Sequence, residues 1–268
     1  MGARPLSLTD AALAAELAQE AGRILLDLRE NGRFEGKALG EAGDRLANRY
    51  LMERLAAERP DDGVLSEESR DTHERLLKSR VWIVDPLDGT REYGEGRPDW
   101  AVHVGLAVDG VAQIGAVALP GLGSGVVLRS DQPVPPSNHT GAPRMLVSRT
   151  RPAAEALAVA EKLGCELVPM GSAGAKAMAV VLGQAEIYLH SGGQFEWDNC
   201  APAAVAKAHG LHCSRIDGSD LAYNREDTYL PDLLICRQEW AERVLEEVAA
   251  LNPPPASGRG APRPSTAR

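Results

Sequence analysis

Aromatic side chains are scarce: Phe, Trp and Tyr together make up 4% of the sequence, so Leu, Val, Ile and Ala must supply most of any core. No apolar run approaches the roughly 20 residues that a membrane-spanning helix needs. The opening MGARPLSLTD has none of the apolar stretch that a secretory leader carries, so a cytoplasmic location is expected. The four cysteines, Cys165, Cys200, Cys213 and Cys236, show no C-x-x-C spacing. That pattern argues against a structural zinc site or a disulfide framework and fits a reducing compartment. Positive charge is in deficit too: 29 Lys and Arg face 38 Asp and Glu, a formal net charge of −9. Such a balance disfavours a nucleic-acid polymer or an anionic membrane as partner. An acidic protein that handles phosphates needs metal ions or a local cluster of donors to offset repulsion.

What is present is the material of a globular domain. The 268 residues are 44% hydrophobic and 25% charged, enough for one large domain or two modest ones sharing a core. Leu13, Leu17, Ala21, Ile24, Leu25 and Leu28 recur at helical spacing and predict a helix over residues 9–28, capped by Thr9 or Asp10. A glycine-containing stretch over 31–44 then reads as a connection to a second helix over 44–59, which Pro60 ends. Val81-Trp82-Ile83-Val84 reads as a buried strand that stops in a turn at Asp85-Pro86. Asp109-Gly110 joins two β-rich runs between 100 and 119 into a hairpin, and another strand follows at 125–128.

The Pro-, Ser-, Asn- and Gly-rich stretch 131–143 reads as the connection between two halves, 1–135 and 136–252. The second half alternates: strand MLVS, helix 153–163, strand CELVPM, helix 173–182, strand AEIYLH. A helix over 199–209, a strand LLICR and a helix over 238–251 complete this α/β half. The Pro-rich, basic segment 253–268 is expected to be a disordered, solvated tail.

Chemistry concentrates at Asp85-Pro86-Leu87-Asp88-Gly89-Thr90. A strand end places Asp85 at the rim of a sheet, and proline turns the chain there. The Leu87 carbonyl and the Asp88 carboxylate then face the same point, while Gly89 permits close approach of the backbone to a ligand. A helix starting near Thr90 would offer free N–H groups to a phosphate. Two carboxylates, a carbonyl and a hydroxyl make an oxygen set suited to magnesium. Further carboxylates are available from Glu67 and Glu68 in LSEES, and from Asp198, which opens a helix where an anion suits the dipole. Residues 85–96 lack the alternating acids of an EF-hand loop. Phosphatases that form an aspartyl-phosphate space their acids two apart, whereas here the gap is three and contains proline. Attack by water therefore fits better than a covalent intermediate.

DPLDGTREY, with LSEES upstream and WDNCAPAA downstream, resembles the inositol monophosphatase superfamily of lithium-sensitive, magnesium-dependent phosphatases, over nearly the whole chain. VLSEE, WIVDPLDGTREY and LAYN look most like its CysQ-type 3′(2′),5′-bisphosphate nucleotidases. The resemblance implies a layered αβαβα sandwich, often a homodimer, and two to three Mg2+ ions at the junction of its halves. It implies Glu67, Asp85, the Leu87 carbonyl, Asp88 and Asp198 as metal ligands, with Glu67 also ordering a water. Thr90 would orient the attacking water, with Asp44 as its acidic partner, and Lys37 would lie near a third metal. Gly171 and Ser172, in GSAGAK, resemble a segment that lines the substrate pocket together with Asp88, Gly89, Thr90 and Asp198. The implied substrate is 3′-phosphoadenosine 5′-phosphate, cleaved to AMP in support of sulfate assimilation. Inositol monophosphate and fructose 1,6-bisphosphate remain alternatives, as does a phosphate-ligand binding protein without turnover. Around Gly40–Gly43 the sequence departs from the superfamily's usual pattern. His209, His212 and Cys200 read as structural, Trp197 as a core or pocket wall, and Arg91 and Glu92 as exposed turn residues.

Overall fold

The computed structural model describes residues 8–123, 125–135 and 139–251; the expected tail at 253–268 lies outside the described residues. Thr9 accepts the Ala12 N–H at 3.2 Å and so caps α1 (Asp10–Glu30), whose Leu13, Leu17, Leu25 and Leu28 are buried. Helix α2 (Gly36–Glu58) begins at Gly36 rather than at 44, so the stretch read as a connection is helical. Glycine disfavours a helix interior, yet packing requires it here. A Cβ at Gly43 would lie 2.9 Å from Leu25 Cδ2, and one at Gly40 would lie 2.6 Å from Thr90 Cγ2. The two glycines let α2 press against α1 and against the turn that carries Thr90. Asp44 thereby sits inside a helix, on its buried side.

The first sheet takes β1 (Gly63–Ser66), β2 (Arg80–Asp88), β3 (Ala101–Val108), β4 (Val111–Leu119) and β5 (Val126–Arg129) in chain order. Only β1 and β2 run parallel. Asp109 and Gly110, at φ 51° and 79°, form the expected hairpin turn between β3 and β4. A short 3-10 helix (Glu74–Leu77) and a five-residue α3 (Thr90–Gly94) flank β2. The second sheet orders β6 (Arg144–Ser148), β7 (Glu166–Met170), β8 (Ile187–Phe195), β9 (His212–Ser214) and β10 (Tyr229–Cys236) as β7-β6-β8-β10-β9. Strand β6 is parallel to β7 and β8, and β10 is antiparallel to β8 and β9. Helices α4 (Ala154–Leu163), α5 (Ala173–Val181), α6 (Glu196–Ala208) and α7 (Gln238–Leu251) complete the chain.

Three apolar clusters define five layers. Helices α1 and α2 cover the outer face of the first sheet. Helices α5 and α6 fill the space between the sheets, and α4 with α7 cover the second sheet. This is the αβαβα sandwich. Paired glycines position its middle layer. Gly105 and Gly115 face each other across β3 and β4, and a Cβ on Gly115 would strike the Ala201 carbonyl at 2.4 Å. The α6 backbone therefore rests directly on the first sheet, which brings its first turn, with Asp198, over β2. No disulfide joins the described cysteines, and no described helix is long and apolar enough to cross a membrane.

Candidate metal centre

Strand β2 does not stop at Val84. It continues through the motif by way of a bulge: Asp85 pairs with His103 and Asp88 with Ala101, so three steps on β2 oppose two on β3. The extra residue re-aims the side chains that follow it, and both carboxylates end on the inner side of the sheet. Proline at 86 has no N–H to lose, and the next N–H, of Leu87, is taken by Asp85 Oδ1 at 3.0 Å. Gly89 then adopts φ 89°, in the left-handed region, under Trp100 and Ser172.

Across this bulge lies the first turn of α6. That helix starts three residues before the expected 199, so Asp198 is its third residue and accepts the N–H of Phe195, the residue before the helix, at 2.6 Å. Carboxylate oxygens of Asp85, Asp88 and Asp198 lie within 4.8 Å of one another. Glu67 leaves the turn after β1 and is outside that trio, yet close enough to share its field. Burial and repulsion raise several of these groups. Burial, then Glu67, Asp88 and Asp198, push the Asp85 carboxyl well above its ordinary range. Burial and Asp88 lift Asp198 to about 6. Glu67, an exposed residue overall, is lifted to about 7 by desolvation of its carboxyl and by Asp198, Asp88, Asp44 and Glu68. Acids held this close to one another either keep a proton or take a cation between them. An all-oxygen donor set with no thiolate or imidazole among the three clustered acids fits a hard divalent ion.

Thr90 stands beside this cluster. Its Oγ1 lies 3.1 Å from the Leu87 carbonyl and 3.5 Å from Asp44 Oδ1. Burial first, then Glu68, raises Asp44 to about 7, with the Thr90 hydroxyl opposing. The Leu87 carbonyl keeps a second lone pair for another partner.

Asp88 is held differently from Asp85. Its carboxylate accepts Ser172 Oγ, Ala173 N at 3.1 Å and Gly174 N at 2.6 Å, so it clasps the start of α5. His103 Nε2 lies 3.2 Å from Asp88 Oδ2, though not aligned for a hydrogen bond. Its Nδ1 is 3.0 Å from the Trp197 carbonyl. Burial disfavours the imidazolium, but an acceptor near each ring nitrogen outweighs burial and raises the His103 pKa. For Asp88, burial is outweighed by the nearby His103 above all, then by Ser172 and the Gly174 N–H, which hold the carboxyl down at about 2. An ionised carboxylate offers about four lone-pair sites, so Oδ1, with Ala173 alone, retains one for a cation.

His103 is a site residue that the sequence reading missed. Its signal was a single imidazole within the otherwise apolar AVHVGLAV strand. Glu92, read as exposed, is buried, because Arg149 from beyond β6 reaches its Oε1 at 2.8 Å. Arg91 is exposed as expected. The Lys37 side chain is 92% exposed and lies 3.5 Å from Glu41. Gly171 donates to Asp99 at 2.7 Å, and Ser172 caps α5 from φ 44°. Within LAYN, the Tyr223 hydroxyl donates to Asn199 and the Asn224 N–H to Glu196, so this segment braces α6.

An all-oxygen acid cluster at the junction of two sheets, with a hydroxyl and a further acid beside it, is a site able to hold a metal ion on an αβαβα sandwich. The inositol monophosphatase family model matches residues 7–252, and the chain belongs to that family. The chain is 53% identical over 252 residues, 89% of its length and 93% of the relative's, to a 3′-phosphoadenosine 5′-phosphate phosphatase of Mycobacterium leprae. It is 28% identical to the 3′(2′),5′-bisphosphate nucleotidase CysQ of Salmonella typhimurium, over 80% of this chain and 94% of that one. The crystal structure of CysQ from Bacteroides thetaiotaomicron superposes with a TM-score of 0.71 at 24% identity, covering 85% of this chain and 97% of that one. That last likeness supports the fold.

Proposed function

We propose that the protein hydrolyses the 3′-phosphate of 3′-phosphoadenosine 5′-phosphate, yielding AMP and inorganic phosphate, with two to three Mg2+ ions held by Glu67, Asp85, the Leu87 carbonyl, Asp88 and Asp198. The observation that carries this reading is the crowding of Asp85, Asp88 and Asp198 within 4.8 Å, beside the Thr90–Asp44 pair. A relative at 53% identity that bears the name of this activity supports the choice of substrate. When bound, the cations supply Lewis-acid neutralisation of the phosphoryl oxygens and activation of water.

The chain's own residues do the positioning. The Thr90 hydroxyl, fixed by the Leu87 carbonyl and Asp44, accepts a hydrogen bond from the attacking water and holds it in line. As the Thr90 hydroxyl takes a proton from the water it passes its own to the ionised Asp44 carboxylate, whose pKa burial and Glu68 raise to about 7. Asp88, clasped to α5 by Ser172 and Gly174, keeps the two halves of the site at a fixed distance. Phosphate release from 3′-phosphoadenosine 5′-phosphate that depends on added magnesium and stops with chelator is the expected result. Release that proceeds equally in chelator sinks the reading.

The acids also predict how stability responds to pH. Glu67, Asp44 and Asp198 are raised to about 7, 7 and 6, above the ordinary carboxyl range of roughly 4. A raised acid contributes stability that is complete below its unfolded value and lost as pH climbs through its folded value. Metal-free protein is therefore expected to melt at lower temperature at pH 8 than at pH 5. Because cations displace those protons, the rise in melting temperature on adding magnesium should be larger at pH 8 than at pH 5. A magnesium shift that is equal at both, measured by thermal denaturation, contradicts the assignment.

A further inference from the structure

Strands β6 and β7 are neighbours and parallel, but their connections leave on opposite faces of the second sheet. β6 leads to α4 on the outer face, and β7 leads to α5 on the inner one. A crevice opens outside the carboxyl ends of such a strand pair, and in open α/β sheets that is where ligands bind. Here the crevice is a groove of about 500 Å³, lined by Arg149, Thr150 and Arg151 after β6, Ser172 and Lys176 after β7, and Arg91 from α3. Four cations and one carboxylate, Glu92, line it, in a protein whose formal net charge is −9.

Most of that positive charge is already committed. Arg149 bonds Glu92 at 2.8 Å and Glu95 at 2.6 Å, and Arg91 bonds Glu95 at 2.8 Å. Lys176 is buried, donating to the Gly171 and Ser172 carbonyls at 3.0 and 2.6 Å. Arg151 is the exception. Its guanidinium is exposed and makes no hydrogen bond or ion pair with another described residue, while its backbone N–H is fixed by Ser148 Oγ at 3.2 Å. The groove also adjoins the metal centre through Ser172, which lines it and donates to Asp88.

We propose that this groove receives the second, non-transferred phosphate of a bisphosphorylated nucleoside, and that Arg151 is the residue that reads it. The proposal rests on hydrolysis of the first phosphate at the acid cluster, as argued above. With one phosphate at the acids, the other lies a single sugar away, and the cluster of carboxylates repels it unless fixed cations meet it nearby. A planar guanidinium with no carboxylate partner suits the oxygens of a phosphate, which it can bind through two N–H groups at once. A monophosphate has nothing to place there, so the groove selects for substrates with two phosphates.

The test compares kcat/KM for 3′-phosphoadenosine 5′-phosphate and for adenosine 3′-monophosphate, with magnesium, in the wild type, Arg151→Ala and Arg151→Lys. In Arg151→Ala the ratio of the two values is expected to fall by at least about tenfold, through KM for the bisphosphate, as loss of a charge-assisted contact predicts. Arg151→Lys should recover part of that ratio, since a lysine restores the charge without the planar fork. Melting temperature checks that both variants fold, which the exposure of Arg151 favours. A ratio within about twofold of the wild type's in Arg151→Ala overturns the proposal. So does a wild type that handles both substrates equally, which leaves the hydrolysis reading standing. A wild type that releases phosphate from neither overturns the hydrolysis reading, and the groove falls with it.

Discussion

Asp85→Asn is expected to lower kcat/KM by at least about 10³-fold, roughly 4 kcal/mol of transition-state stabilisation, and at the same time to stabilise the metal-free protein. Both effects come from one feature. Asp85 is 1% exposed, and burial together with three neighbouring acids raises its carboxyl well above the ordinary range. At neutral pH the ionised form is a cost to the folded state that only a cation offsets. An asparagine removes the charge, keeps an oxygen for the Leu87 N–H and would hold a hard cation far less well than a carboxylate. Without metal, melting temperature should rise by at least about 2 °C, on the scale of a kcal/mol or less for a chain of this size. With saturating magnesium the variant should gain less stability than the wild type. A variant with near-normal turnover contradicts the role given to Asp85, and one destabilised without metal contradicts the electrostatic account of the cluster.

Asp88→Asn is expected to lose activity on a similar scale but to destabilise the protein in either metal state. Asp88 accepts Ser172 Oγ and the Ala173 and Gly174 N–H groups, with His103 Nε2 3.2 Å away. Ser172, Ala173 and Gly174 each present a hydrogen and together they face both carboxylate oxygens, so the amide NH2 of asparagine must face a donor at one of its two positions. A buried donor left unpaired costs about 1–3 kcal/mol. The pH sign is opposite to that of Asp85. The carboxyl of Asp88 is held down at about 2, so its contribution is present above the ordinary carboxylate range and is lost as pH falls through about 2. The variant's stability deficit should therefore be full at pH 7 and shrink in strong acid. Thermal melts that show Asp88→Asn as stable as wild type at pH 7 contradict the clasp between the bulge and α5.

The pair illustrates what the sequence makes legible. The Asp-Pro-x-Asp-Gly-Thr run announces a cluster of oxygen donors, because its residue types and spacing are themselves the chemistry. It does not announce that Asp88 also joins two parts of the fold, since Ser172 and Gly174 are more than 80 residues away and meet it only through the packing of α5. The longer helices were readable from apolar spacing, as in α1 and α7. Helix α2 was misread at its start because its glycines signal a loop locally, and the reason for them is Thr90 and Leu25, on other elements. Strands β1 and β9, of four and three residues, are too short for periodicity to register. Glu92 looked like a surface residue because Arg149, which buries it, arrives from another half of the chain. The charge of the groove was hidden for the same reason, since its arginines come from two separate segments.

The measurement that bears most directly on the whole account is the rate of phosphate release from 3′-phosphoadenosine 5′-phosphate, inositol 1-phosphate and fructose 1,6-bisphosphate, each with magnesium and with chelator. The account predicts magnesium-dependent release with kcat/KM for the nucleotide at least about tenfold above the other two, equivalent to roughly 1.4 kcal/mol in the barrier. Equal or faster turnover of the inositol or sugar phosphate, or release from the nucleotide that survives chelation, would contradict it.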